Sequence, residues 1–256
     1  MEKPQITFAT NVWEGDWKFV LRTGRLKKII DSCKWDFEER VLYINNVSDR
    51  EKVAKAAQKH IDKGVITSFI FVDDSAAQTL EYFHMDKDSF KGGYYYSIQE
   101  LTAVLRCKTK YLLHLTCDTV IQGPESWIMD AINYMEKDPS ILTAQPLGDP
   151  GDVLAKGNLV SEDALFYRCF GFSDQCYLIR PEDFRKPIYN ETNEASSRYP
   201  SYAGELFEKR IDSYMRNHGK YKIASKITKY KHQNFPKDPV RKWLLYFTGI
   251  NLKKGR

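Results

Sequence analysis

Short apolar runs of the kind that form β-strands alternate with helical patterns along most of this chain, and this alternation restricts the possible folds most strongly. The strand patterns are 6–10, 41–44, 65–74, a run that ends at Asp118, 141–145, 176–180 and 221–232. Helical spacing of apolar residues covers 17–33, 50–63, 76–84, 97–107, 203–217 and a segment that follows Pro124. Such alternation predicts an α/β fold, with a mainly parallel sheet and helices on both faces.

Size and charge set further limits. The 256 residues, of which 42% are apolar, suffice for one large domain, predicted over 1–237, followed by a basic amphipathic tail over 238–256. The net charge of +5 is a mild bias that would suit an anionic donor, a nucleic acid or an acidic membrane surface. The net charge therefore does not distinguish among these three kinds of binding partner.

The cysteines and the apolar runs bear on location. Five cysteines, without a CxxC pair, indicate neither a disulfide framework nor a zinc site, and favour a reducing compartment. The sequence has no signal-peptide pattern and no apolar run near the roughly 20 residues of a membrane-spanning helix. We therefore expect a cytoplasmic protein.

One aspartate, Asp118, lies at the end of a predicted strand. The run ending in Thr116, Cys117 and Asp118 reads as a buried strand that presents one aspartate at its carboxyl end. Ligands of α/β sheets bind at this edge, and Mg²⁺ or Mn²⁺ commonly takes one or two protein carboxylates while phosphates fill other positions. Asp118 is therefore a candidate metal ligand, although an aspartate before Pro124 is also a normal turn residue.

Polar residues at the ends of the other strands are candidates for binding a nucleotide beside Asp118. They are Thr10, Asn11, Asn46, Asp73 and Asp74, joined by Cys117 and by Arg106 as a partner for a diphosphate. Asparagine and aspartate are also common turn residues, and an arginine on a helix is commonly a solvated charge. The sequence leaves both interpretations open for each residue.

Three further segments follow in the carboxyl-terminal half of the chain, in the order CYLIRPEDF, GELFEKRIDSYM and KITKYKH. Together with NNVSD at 45–49 and TCD at 116–118, they give the chain a resemblance to GT-A fold glycosyltransferases, most similar to the large inverting family that includes cellulose synthase. Thr116 stands where that family's metal motif has its first aspartate, and Leu206 where it has its catalytic aspartate.

The resemblance implies a nucleotide diphosphate sugar donor, a glycan or lipid-linked glycan acceptor, and a role in polysaccharide biosynthesis. It implies Mn²⁺ or Mg²⁺ at Asp118, with His232 as the strand-terminal histidine that meets the phosphate or the metal. It also implies a carboxylate base, for which Glu205 is the first candidate and Asp174 the second. A glutamate at a helix start is equally a routine capping residue.

Alternatives remain for the tail and for the function. Trp243 and Phe247, flanked by basic residues, suit either a membrane interface or a terminal helix packed on the core. A sugar nucleotidyltransferase would carry a glycine-rich basic loop after its first strand, where this chain has TNVWEGDW. A non-catalytic module that binds carbohydrate or nucleic acid is the other rival, but without a recognisable nucleic-acid motif we expect no nucleic-acid partner.

Overall fold

The computed structural model describes residues 3–148, 150–154, 157–200 and 204–248. The strands are β1 (Ile6–Val12), β2 (Glu39–Ile44), β3 (Ser68–Phe71), β4 (Tyr111–Leu115), β5 (Thr119–Gln122), β6 (Ile141–Leu147), β7 (Leu159–Glu162), β8 (Phe166–Cys169), β9 (Cys176–Ile179) and β10 (Tyr221–His232). The helices are α1 (Trp17–Arg22), α2 (Arg25–Ser32), α3 (Arg50–Asp62), α4 (Asp73–Tyr82), α5 (Tyr94–Arg106), α6 (Ser126–Lys137), α7 (Pro150–Leu154), α8 (Pro181–Phe184), α9 (Phe207–Asn217) and α10 (Pro239–Thr248).

All these strands belong to one sheet in the order β3-β2-β1-β4-β9-β6-β10-β8-β7, with β5 paired to β10 beside this path. The pairs β2/β3, β1/β2, β1/β4 and β6/β10 are parallel, whereas β9 is antiparallel to both β4 and β6, and β8 to both β7 and β10. The expected α/β fold is confirmed, but parallel pairing dominates only the amino-terminal half. Parallel neighbours need crossover helices, and the short connection between β7 and β8 permits only a hairpin.

Helices cover both faces of the sheet because apolar side chains alternate along the buried strands. On β1, Ile6 and Phe8 enter one core, while Ala9 enters the other. The first core contains residues of α1, α2, α3 and α6, and the second contains residues of α4, α5 and α9. On β9, Leu178 and Ile179 divide between the two cores in the same way.

The strands β1, β2 and β4 run parallel, so their carboxyl ends meet at one edge of the sheet. Asn45 and Asn46 follow β2 there, and Thr116 to Asp118 follow β4. Asn46 adopts a left-handed conformation with φ of 48°, which asparagine tolerates better than most residues. This edge therefore gathers polar side chains in the way the sequence predicts.

The carboxyl-terminal helix α10 packs on the first core. Leu245 is buried, and Trp243 and Tyr246 meet Phe19 edge to face. A Cβ atom at Gly24 would lie 2.4 Å from the Tyr246 hydroxyl, so glycine permits the close approach of this ring at the break between α1 and α2. Within the described ranges, no helix has the length and apolar character needed to cross a bilayer.

Candidate active site

A cavity of about 700 Å³ opens at the carboxyl edge of β1, β2 and β4. Six of the residues predicted for the site line it: Asn11, Asn46, Cys117, Asp118, Asp174 and His232. Five carboxyl groups face it, from Asp16, Glu100, Asp118, Asp174 and Glu208, whereas none of its described lining residues is lysine or arginine. Among its described lining residues, the cavity thus offers carboxyl groups for a cation, and His232 as the one basic side chain for a phosphate.

Asp118 and His232 form the central pair of the cavity. Strand β5 pairs antiparallel with β10, and the backbone N–H of Gln233 donates to the Asp118 carbonyl at 2.9 Å, which brings His232 beside the carboxylate. The His232 Nε2 to Asp118 Oδ2 distance is 2.9 Å. Burial alone lowers the pKa of His232, but the Asp118 hydrogen bond and charge outweigh it and raise this pKa above 6.5. In turn, burial pushes the pKa of Asp118 up, whereas His232 and Arg25 bring it below 3.8.

The pair has the chemistry of two ligands for a hard divalent cation. Neighbouring ligands of an octahedral ion at roughly 2.1 Å lie about 3 Å apart, close to the observed distance between these two atoms. Among the described residues, no group of three or more His, Cys, Asp or Glu side chains is arranged to hold a metal. The residues therefore fit an ion that keeps most of its coordination for phosphate oxygens and water, as Mg²⁺ and Mn²⁺ do.

Arg25 supports the backbone on both sides of Asp118. Its guanidinium is fully buried and donates from Nε to the Cys117 carbonyl at 2.8 Å and from Nη1 to Gln233 Oε1 at 2.6 Å. A third contact, to the Thr119 carbonyl, is longer at 3.5 Å. Arg25 therefore ties the β4–β5 turn to the end of β10, and its positive charge helps to keep Asp118 ionised.

A second carboxyl pair, Asp174 and Glu208, also lines the cavity. The backbone N–H of Asp174 donates to Glu208 Oε2 at 3.2 Å. Burial raises the pKa of Asp174 from 3.8 to about 6, and burial followed by the charge of Asp174 raises that of Glu208 well above 4.5. A carboxyl group that titrates near neutral pH is suited to accept a proton from a substrate hydroxyl.

Glu205, the first candidate base, does not line the cavity. Its Oε1 accepts from Lys209 at 2.9 Å and lies 3.8 Å from the ammonium of Lys91. Helix α9 begins at Phe207, and this register turns Glu208, one position into the helix, toward Asp174. Within the GELFE segment, Glu208 therefore lines the cavity and Glu205 does not, while the identity of the base stays a prediction.

Four other predicted residues lie outside the cavity. Thr10 is fully buried, and its hydroxyl has no hydrogen-bond partner among the described residues. Asp73 and Asp74 belong to the first turn of α4 because β3 ends at Phe71, and Asp74 pairs with Arg50 at 2.6 Å. Arg106 donates to Ser75 and Gln78 and lines a separate groove with Asp74. These four residues are therefore absent from the described lining of the cavity that holds Asp118, and their role in donor binding stays a prediction.

Sequence reasoning missed the aromatic and amide residues of the cavity. Trp13 is 54% exposed at its rim, and Tyr95 and Tyr96 are also exposed there. Asn45 donates to the Tyr95 carbonyl at 2.8 Å and to Gln99 Oε1 at 2.6 Å, while its own Oδ1 is buried without a partner among the described residues. Their signal was position: Trp13 directly follows β1, and Asn45 directly follows β2.

The sequence also did not indicate Asp16 as a residue of the cavity. Its Oδ1 accepts from the backbone N–H of Trp13 at 2.9 Å, and its Oδ2 accepts from the Cys117 thiol at 3.3 Å. Burial raises the pKa of Asp16 from 3.8 to about 7. This carboxyl group therefore links the rim that carries Trp13 to the turn that carries Asp118.

No protein-family model and no curated protein matches the sequence. Among solved structures, the chain is similar to mouse xyloside xylosyltransferase 1 in its apo form, with a TM-score of 0.50 and 13% identity over 85% of this chain and 84% of that chain. It is also similar to GalNAc-T7, solved with UDP, GalNAc and Mn²⁺, with a TM-score of 0.54 and 12% identity over 90% of this chain and 44% of that one. The chain thus has the GT-A glycosyltransferase fold.

Proposed function

We propose that this protein transfers a sugar from a nucleotide diphosphate sugar to a hydroxyl group of a glycan or glycolipid. The observation that carries the proposal is the Asp118–His232 pair, which lies at the end of β4 in a cavity with five carboxyl groups and, among its described lining, no lysine or arginine. The negative charge of Asp118 opposes a bare diphosphate in this cavity, and a cation that accompanies the diphosphate offsets this repulsion. The shared fold supports the same activity.

The proposed donor site assigns some residues of the cavity to the metal and others to the nucleoside. Asp118 and His232 would hold Mn²⁺ or Mg²⁺, which when bound would offset the negative charge that develops on the departing diphosphate. Trp13 and Tyr95 offer exposed rings on which a base can stack, and the unpaired Oδ1 of Asn45 offers an acceptor for a donor group of the nucleoside. Asn11 and Asn46 complete this polar wall.

The proposed base is Glu208 or Asp174. The carboxylate takes the proton of the acceptor hydroxyl, whose oxygen forms a bond to the anomeric carbon as the bond from that carbon to the diphosphate oxygen breaks. The electron pair of the broken bond leaves with the diphosphate, and attack from the opposite side inverts the anomeric configuration. Inversion by a carboxylate base is the part of the proposal that the resemblance contributes.

We further propose a peripheral membrane contact through α10, which suits a lipid-linked acceptor. Val240 and Phe247 are 75% and 72% exposed, and Trp243 stacks on Phe247 along the same outward surface. Arg241 and Lys242 lie next to this apolar stripe. Apolar side chains beside basic ones are typical of helices that lie in a membrane interface. The cytoplasmic location stays a prediction.

Product analysis tests the proposed reaction. The protein is incubated with UDP, GDP, CDP and dTDP sugars, Mn²⁺ and a panel of glycan acceptors, and the products are separated by mass spectrometry. Glycosyl transfer releases a nucleoside diphosphate and lengthens the acceptor, whereas a nucleotidyltransferase with a nucleoside triphosphate and a sugar phosphate would release pyrophosphate. The anomeric configuration of the product, measured by NMR, tests inversion. Absence of any lengthened acceptor or hydrolysed donor across the panel would refute the proposal.

A further inference from the structure

A smaller cavity of about 220 Å³ adjoins the candidate active site. Gln175, Pro200 and Glu208 line both cavities, so the two spaces share a wall that includes a candidate base. Pockets for whole ligands usually measure roughly 300–1,000 Å³. The smaller cavity therefore suits one chemical group of a substrate whose reacting part lies in the larger one.

Lys222 is the unusual residue of this second cavity. It lies on β10, it is only 4% exposed, and its side chain belongs to the cavity lining. Within the described parts of the chain, no carboxylate pairs with its ammonium and no atom accepts a hydrogen bond from it. The Lys222 side chain lines the cavity, so its ammonium is accessible to a small group that enters there. An anion from outside the chain would supply the close partner that the described residues do not.

A second cation stands beside Lys222. Arg198 also lines the small cavity, and its Nη2 donates to the Tyr199 hydroxyl at 3.0 Å. Gly171 makes room for this guanidinium, because a Cβ atom there would lie 2.6 Å from Nη2 and 3.8 Å from the Lys222 ammonium. With a φ of +98°, this position also favours glycine for its backbone. The chain therefore brings two cationic groups to one small space.

The charges of the two cavities are opposite in kind. The described lining of the larger cavity has five carboxyl groups and no lysine or arginine, whereas that of the smaller one has Lys222, Arg198 and a single carboxyl group, Glu208. Burial, and then the charge of Asp174, raises the pKa of Glu208, which weakens the negative charge that faces Lys222. Asp212, the other nearby carboxylate, is already paired, with Arg216 at 3.0 Å and Arg198 at 3.7 Å.

We propose that the second cavity binds an anionic group, a carboxylate, sulfate or phosphate, that is carried by the sugar acceptor. The lining supplies two cations and the neutral polar side chains of Gln145, Ser173 and Tyr230. A group held there lies next to Glu208, one of the two candidates for the base that would take the proton of the acceptor hydroxyl. The identification of this anion with the acceptor rests on the proposed transfer reaction, while the anion site itself is testable without it.

Binding is tested without donor and in EDTA, so that no cation bridges a probe to Asp118. Glucuronate, glucose 6-phosphate and glucose are titrated, and the melting temperature is followed, because a ligand that binds only the folded state raises it. We expect the two acidic sugars, but not glucose, to stabilise the wild type. Lys222→Met should weaken both acidic probes at least tenfold, and Lys222→Arg should keep them.

Lys229→Met is the matched control, since it removes the same charge from an exposed position of the same strand. It should bind the acidic sugars like the wild type. Methionine in place of a buried unpaired ammonium is not expected to unfold the protein. Should Lys222→Met nevertheless fail to fold, Arg198→Gln provides a second variant with the same expected loss. Equal stabilisation by glucose and the acidic sugars, or wild-type binding in the variants, would overturn the inference.

Transfer measurements separate this inference from the proposed function. With an active donor, kcat/KM is compared for acceptors that differ only in one carboxylate or phosphate. The wild type should favour the acidic acceptor by at least tenfold, and Lys222→Met should lose this preference. Anion binding that depends on Lys222 without any transfer would refute the proposed function and keep the anion site. Transfer without such a preference would refute the assignment of the anion to the acceptor.

Discussion

Replacement of Arg25 by methionine should lower the stability of the protein and also impair ligand binding in the cavity. Arg25 is fully buried, and its hydrogen bonds to the Cys117 carbonyl and to Gln233 hold the chain on either side of Asp118. Methionine fills much of the same space but donates no hydrogen bond. The variant therefore removes the tie between the β4–β5 turn and β10 while it leaves Asp118 and His232 in the sequence.

The size of the effect follows from the two short bonds. A hydrogen bond from a charged group contributes about 1.5–3 kcal/mol, so two give roughly 3–6 kcal/mol, and the contact at 3.5 Å is left out. Relief of the desolvation of a buried cation offsets part of this loss, which favours the lower end, about 3 kcal/mol. At roughly 2–4 °C per kcal/mol for a chain of this size, the melting temperature should fall by about 6–12 °C.

Calorimetry and urea unfolding followed by tryptophan fluorescence measure the change. The matched control is Lys27→Met in the same helix, where the exposed pair with Asp31 contributes no more than about 0.5 kcal/mol. The folded fraction of Arg25→Met should also lose Mn²⁺-dependent binding of nucleoside diphosphate. An unfolding free energy within about 1 kcal/mol of the wild type would refute the supporting role of Arg25.

Three further predictions concern the base, the pH dependence and the tail. The base is tested with two variants, Glu208→Gln and Asp174→Asn. The variant that lacks the base should have kcat lower by about 10²–10⁴ and a nearly unchanged donor KM. Full turnover in both variants would exclude both carboxyl groups as the base. Burial raises the pKa of Asp16 to about 7 and of Asp174 to about 6, both from 3.8, so the folded state holds more protons than the unfolded chain in this range. The unfolding free energy should therefore fall as the pH rises from about 4 to 7, and Asp16→Asn should flatten this slope in melting curves at several pH values; an unchanged slope in that variant would contradict the assignment. Exchange of Val240 and Phe247 for serine should reduce pelleting with anionic vesicles, and equal pelleting would rule out the membrane contact of α10.

Periodicity predicted the order of the main elements because the two cores impose alternation on the buried strands. The predicted strand before Asp118 and the predicted helix over 50–63 correspond to β4 and α3. No strand was predicted between 145 and 176, yet this segment contains β7 and β8. Strand β7 is exposed along its whole length, so it lacks the buried apolar positions on which a sequence pattern depends.

The candidate site was predictable where it depends on strand ends and not where it depends on helix register. Asp118 and His232 stand at the ends of β4 and β10, and the sequence alone proposed both as metal ligands, a role that stays a prediction. Glu208 was missed because Glu205 and Glu208 lie close together in the sequence, and the start of α9 at Phe207 decides which of them faces Asp174. Lys222 gave no signal, because burial of a charged side chain within a strand follows from the tertiary packing around it.

Calorimetric titration of UDP, GDP, CDP and dTDP into the protein, with Mn²⁺ and with EDTA, tests the central claim most directly. A cavity without lysine or arginine in its described lining should bind one of these nucleotides with Mn²⁺ and at least tenfold more weakly in EDTA. Asp118→Asn should abolish this dependence, while Asp73→Asn, at an exposed position outside the cavity, should preserve it. Equally tight binding in EDTA, or unchanged Mn²⁺-dependent binding by Asp118→Asn, would contradict the account.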